Sequence, residues 1–149
     1  MTKILMVCLG NICRSPLAQG ILESKVDSSQ VKVDSAGTAN YHVGESPDPR
    51  SVATARKYGI DISMQRGRQF EVEDFDRFDL IYVMDRSNHR NVLQLARSER
   101  DEAKVKLILN EVFPEENREV PDPYYGGDQG FEHVYELLSQ ASDRIIERI

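Results

Sequence analysis

Cys8, Arg14 and Ser15 stand within one eight-residue stretch, CLGNICRS, and their types suit attack on a phosphate group. A cysteine thiolate is a nucleophile, and an arginine presents a planar fork that takes two phosphate oxygens at once. Leu9, Gly10, Asn11, Ile12 and Cys13 lie between them. At a strand-to-helix turn the backbone N–H groups lack intrahelical partners and can converge on a dianion. Gly10 is expected to let the turn close tightly, Asn11 to brace it through its amide, and Ser15 to hydrogen-bond the thiolate as it leaves. The positive helix end and Arg14 would both favour thiolate at Cys8. A plainer alternative is a buried apolar cysteine with Arg14 at the surface. The strand pattern before Cys8 and the helix pattern after Ser15 tell against it.

Those flanking elements follow from spacing. Lys3 to Cys8 reads as a strand buried on both faces, and Pro16 sits where a first helical turn tolerates it, with Leu17, Ile21, Leu22 and Lys25 continuing at helical spacing. Val31 to Ser35 alternates as a strand. Asp48 and Pro49 read as a cap and first turn of a helix running through Tyr58 and stopping at Gly59. Phe78 to Met84 is another buried strand, Asp85 to Arg97 a helix, and Val105 to Leu109 a fourth strand. Phe131, Val134, Tyr135, Leu138, Ser142, Ile145 and Ile149 mark one face of a closing helix. This alternation implies an α/β fold: a Rossmann-like three-layer sandwich with a four-stranded parallel sheet flanked by helices, its ligands beyond the carboxyl ends of the strands. The loop after Cys8 lies at such an end.

With 149 residues, 40 % of them apolar, residues 1–149 are expected to form a single domain. No apolar run approaches the roughly 18 residues that cross a bilayer, and Ile4 to Leu9 is too short for a signal-peptide core, so a cytoplasmic protein without membrane partners is expected. A net charge of −6 and a pI near 5.1 work against nucleic-acid binding. Two cysteines without an export signal suggest reactive or redox thiols rather than a disulfide scaffold.

CLGNICRSP, DSAGT at Asp34 to Thr38, VGESPDPRS at Val43 to Ser51 and PDPYYGG at Pro121 to Gly127 together resemble the low-molecular-weight protein tyrosine phosphatases over nearly the whole chain. The resemblance implies hydrolysis of phosphotyrosine in protein or peptide substrates, without metal or cofactor, through a phosphocysteine formed on Cys8. It also implies a reversible protective disulfide between Cys8 and Cys13. The chain is expected to work as a monomer or weak dimer.

Ester cleavage also needs a proton for the leaving oxygen, and three aspartates compete to supply it. Helix capping accounts for Asp48 and Asp85. Asp122, between Pro121 and Pro123, caps nothing obvious; local sequence reads equally as a turn, and the resemblance assigns it as general acid and then base. Selectivity for an aryl ester needs flat apolar walls. Tyr124 and Tyr125 beside the acid suit that role, and by resemblance Tyr41 and His42 occupy the facing loop. His89 and His133 read as surface residues. Ile12 suits an aryl ring, whereas a branch of the family acting on phosphoarginine has Thr at the matching position. Gln65 stands where relatives often carry a loop-supporting His, while Ser35 can still hold Asn11. Two rivals remain: an arsenate reductase, against which stands the lack of any cysteine after Cys13, and a phosphate-binding module without catalysis, which would need no acid.

Overall fold

Residues Ile4 to Cys8 are all buried, as a strand covered on both faces requires. The computed structural model describes residues 1–123 and 128–149. Strand β1 (Thr2–Cys8) pairs in parallel with β2 (Val31–Gly37) on one side and β3 (Leu80–Val83) on the other, and β3 pairs with β4 (Val105–Leu107), giving the order β2-β1-β3-β4. The helices are α1 (Arg14–Lys25), α2 (Pro49–Lys57), α3 (Asp74–Arg77), α4 (Arg86–Leu93), α5 (Glu99–Ala103) and α6 (Asp128–Arg148). The result is an α/β sandwich of three layers.

Alternation along β1 divides the core. Ile4, Met6 and Cys8 pack with Leu17, Ile21 and Leu22 of α1 and with Val134, Leu138 and Ile145 of α6. Leu5 and Val7 face the opposite layer, with Phe70, Phe75 of α3, Ile81 and Val92 of α4. Burying such a side chain contributes about 1.5–3 kcal/mol, so apolar contact on both faces adds to the hydrogen bonds that join β1 to β2 and β3. Strand order reverses between β1 and β3, so the loops leaving their carboxyl ends diverge and open a crevice. Cys8 ends one of these strands and Asp85 follows the other.

Several boundaries differ from those expected. The helix expected over Asp85 to Arg97 stops at Leu93, and a separate helix begins at Glu99, capped by the Ser98 hydroxyl, which accepts from the Asp101 N–H. Arg97 between them turns to bind Asp76 and Asp101. Phe78 lies outside β3 because its N–H bonds Asp74 as the cap of α3, a helix that the sequence pattern did not reveal. Residues Ile108–Glu111 wind into a 3-10 turn, which shortens β4. Ile149 follows the last turn of α6 and is exposed rather than buried.

Candidate active site

The loop from Cys8 to Arg14 is held from outside by its own carbonyls. Those of Cys8, Leu9 and Ile12 accept from the N–H groups of Thr38, Ala39 and Asp48 at 2.9, 3.0 and 2.8 Å. The Cys13 carbonyl accepts from the Ser51 hydroxyl at 3.0 Å. With the carbonyls engaged outward, the Asn11 backbone N–H faces in and donates to Cys8 Sγ at 3.3 Å. Ser15 Oγ lies 3.0 Å from the same sulfur.

Asn11, and not Gly10, takes the conformation that lets this loop turn: its φ of 57° lies in the left-handed region. Three side-chain bonds hold it there. Asn11 Nδ2 donates to Ser15 Oγ at 2.8 Å and Ser35 Oγ at 2.9 Å, while its Oδ1 accepts from the Arg68 N–H at 3.0 Å. Gly10 serves a different need, close approach, since a Cβ there would stand 3.0 Å from His42 Cδ2. Gly37 at the end of β2 is tighter still: a Cβ would lie 2.8 Å from the Leu9 carbonyl oxygen.

Arg14 begins α1 and is 3 % exposed. Its Nη1 donates to Asp85 Oδ2 at 2.8 Å and to the Val120 carbonyl at 2.9 Å. Burial disfavours its charge, but Cys8, Asp85 and Asp122 outweigh that and raise its pKa above the ordinary arginine value. Asp85 does cap α4, accepting from Asn88 N through Oδ1. Its second oxygen, on Arg14, was invisible to sequence reasoning because capping already explained the residue. The partner of a conspicuous buried arginine was the signal available.

Val120 donates its N–H to Met84, so the chain leading to Asp122 is fastened to the end of β3. Asp122 Oδ2 stands 3.8 Å from Arg14 Nη2. Together with Cys8, Leu9, Gly10, Ile12, Cys13, Arg14, Tyr41 and His42, Asp122 lines a cleft of about 190 Å³. Tyr41 is largely exposed at the mouth, and His42 Nδ1 pairs with Glu45 at 2.8 Å. Tyr124 and Tyr125 lie outside the described residues.

Both cysteines are free thiols. Burial, with Asp48, Cys8 and Asp122 as negative neighbours, pushes the Cys13 thiol well above the ordinary range. Gln65 donates to the Pro16 carbonyl in the first turn of α1 at 3.1 Å. His89 is half-buried and His133 exposed, and neither lines the cleft. Among the described residues, no group of three or more His, Cys, Asp or Glu is placed to hold a metal ion, and no helix is long and apolar enough to cross a membrane.

The family profile described as low molecular weight phosphotyrosine protein phosphatase matches residues 3–149. A Synechocystis protein provisionally named a low molecular weight protein-tyrosine-phosphatase is 47 % identical over 148 residues, covering 97 % of this chain and 94 % of its own. Among solved structures, Vibrio vulnificus Wzb in complex with benzylphosphonate superposes with a TM-score of 0.89 at 26 % identity, covering 99 % of both chains. A Drosophila arginine phosphatase superposes with a TM-score of 0.90 at 30 % identity, covering 99 % of this chain and 97 % of its own. A thiol at the end of β1, a buried arginine beside it and this agreement along the whole length lead to one conclusion: the chain belongs to the low molecular weight phosphotyrosine protein phosphatase family and is a protein-tyrosine phosphatase.

Proposed function

We propose that residues 1–149 act as one domain hydrolysing protein phosphotyrosine and small aryl phosphates in two steps through phosphocysteine. The observation that carries this reading is the convergence of Asn11 N–H and Ser15 Oγ on Cys8 Sγ, in a cleft that also holds Arg14 and Asp122. In the first step the Cys8 thiolate attacks phosphorus. An S–P bond forms, the P–O bond to the aryl group breaks, and Asp122 in its acid form gives its proton to the departing oxygen. In the second step the Asp122 carboxylate takes a proton from water, whose oxygen attacks phosphorus. The S–P bond breaks, and Ser15 donates a hydrogen bond to the thiolate released. Arg14 and the loop amides hold the equatorial oxygens in both steps.

Preference for an aryl ester rests on the apolar Ile12 and on Tyr41 at the mouth, and a relative that binds benzylphosphonate supports it. The arginine phosphatase among the structural relatives makes phosphoarginine the specific rival. Two free thiols fit action in the reducing cytoplasm. The experiment presents phosphotyrosine, phosphoserine and phosphoarginine peptides and arsenate to the same preparation. Turnover of phosphotyrosine well above the others is expected; dominant release from phosphoarginine, or reduction of arsenate, overturns the substrate assignment. Cys8→Ser should bind phosphate and turn nothing over, and persistent turnover would remove Cys8 as nucleophile.

A further inference from the structure

We infer that Arg50 is a positioning residue that holds the segment carrying Asp122 against the back of the phosphate loop, an inference that rests on Asp122 being the general acid. Arg50 lies in the first turn of α2, outside the cleft. Its fork grips Asp48, Nε to Oδ1 at 3.1 Å and Nη2 to Oδ2 at 3.0 Å. Asp48 in turn donates its N–H to the Ile12 carbonyl, and Ser51, one residue beyond Arg50, binds the Cys13 carbonyl. The arginine therefore stands on the same support as the floor of the cup.

Its other face meets α6, against which the acid segment rests. The guanidinium lies over the Phe131 ring, 4.9 Å from the centroid, and Phe131 is a buried residue of α6. One residue earlier, Gly130 lies against Pro123, since a Cβ on Gly130 would stand 3.6 Å from Pro123 Cβ. Pro123 is bonded to Asp122 through the chain. At the other end of the segment, Val120 is fastened to Met84 and Arg14. Asp122 thus hangs between two anchors, and Arg50 ties the second of them to the loop that bears Cys8. The Arg50 hydrogen bonds also hold the Asp48 carboxyl below the usual carboxylate range, so that the grip extends further into acid.

An arginine is required because one planar group must fork onto a carboxylate and present a face to a ring; lysine supplies neither in that geometry. Proton transfer is sensitive to placement, and a displacement of about 1 Å can cost on the order of 100-fold. Loosening one of two anchors should shift Asp122 by less and leave phosphate binding intact.

The test measures kcat/KM for phenyl phosphate, whose leaving group needs the proton, and for 2,4-dinitrophenyl phosphate, whose leaving group does not. Inhibition by inorganic phosphate is measured alongside. Arg50→Gln should lose about tenfold on phenyl phosphate and under about threefold on the dinitrophenyl ester, with the phosphate Ki within about twofold. Arg50→Lys should not restore the loss. Phe131→Leu, which keeps an apolar core residue, should show the same pattern, and the double variant should be no worse than Arg50→Gln alone. Equal losses on both esters, a phosphate Ki raised more than fivefold, or phenyl phosphate activity within twofold of wild type each overturn the inference. Asp122→Asn, run in parallel, must itself show the leaving-group pattern; if it does not, the acid assignment fails irrespective of Arg50.

Discussion

Asp85→Asn isolates the hydrogen bond that aims Arg14. The amide keeps the size of the carboxylate and one oxygen, so the α4 cap through Asn88 survives while the charged acceptor for Arg14 Nη1 is lost. A hydrogen bond between charged groups contributes about 1.5–3 kcal/mol net, equivalent to about 10–100-fold. Asp85 is 20 % exposed and the Val120 carbonyl still accepts from Nη1, so the lower end applies: kcat/KM for p-nitrophenyl phosphate should fall about tenfold and the phosphate Ki should rise in step. Asp85→Ala should match that loss and add the missing cap, about 1 kcal/mol, lowering the unfolding midpoint by a further 2–4 °C, roughly. Steady-state assays with thermal unfolding separate the two effects. A folded Asp85→Asn with kcat/KM and Ki both within twofold of wild type would refute the reasoning, because Arg14 would then be aimed without Asp85.

Asn11→Ala removes three hydrogen bonds and leaves a left-handed alanine, whereas Asn11→Gly removes the same bonds and relieves the backbone; both should lose activity, and Gly should unfold at the higher temperature. Gly37→Ala should push the Leu9 carbonyl and raise the phosphate Ki, since the new Cβ would lie 2.8 Å from that oxygen; an unchanged Ki would mean that the loop yields at no cost. Cys13 should resist iodoacetamide at pH 8 in a Cys8→Ser background and react only after denaturation, as its buried thiol keeps its proton. The same shift has a sign for stability: the unfolded chain releases the Cys13 proton at about pH 8.5 while the native state retains it, so stability should fall above that pH, and Cys13→Ala should flatten the slope.

What sequence made legible was whatever periodicity or local chemistry encodes. The β1 run, Pro16, the Asp48 cap and the apolar face of α6 each carry their own signal, and the structure bears out those elements. The shortest helix carried too little: α3 spans four residues, barely one helical period, whereas the fourth strand was legible at Val105 and only its far end fell short. Their limits depend on partners distant in sequence, as with Arg97, which leaves one helix to bind Asp76 and Asp101. Glycine gave a different kind of error. Gly10 was the natural candidate for the tight turn, yet the positive φ falls on Asn11, because an amide that can bond Ser15, Ser35 and Arg68 at once offsets the strain that glycine merely avoids.

Asp85 exposes a further limit, since a residue explained by one role can conceal a second. Its Oδ1 stops the α4 amides from being orphaned and its Oδ2 fixes Arg14, so a single carboxylate joins the turn after β3 to the turn after β1. These two turns lie where strand order reverses, the place where the fold opens a crevice and leaves its floor least supported by the sheet. Arg14 repeats the economy by bonding Val120 as well, which brings the segment leading to Asp122 into the same junction. Thiol and arginine share one loop while the proposed acid comes from a distant stretch of chain, and Arg14 Nη1 joins them by touching both Asp85 and Val120. A charge at Arg14 is therefore needed for structure before any substrate arrives, and Arg14→Lys, which cannot reach Asp85 and Val120 in one plane, should lower thermal stability as well as kcat/KM. Loss of activity with the unfolding midpoint unchanged would show that the junction holds without the guanidinium.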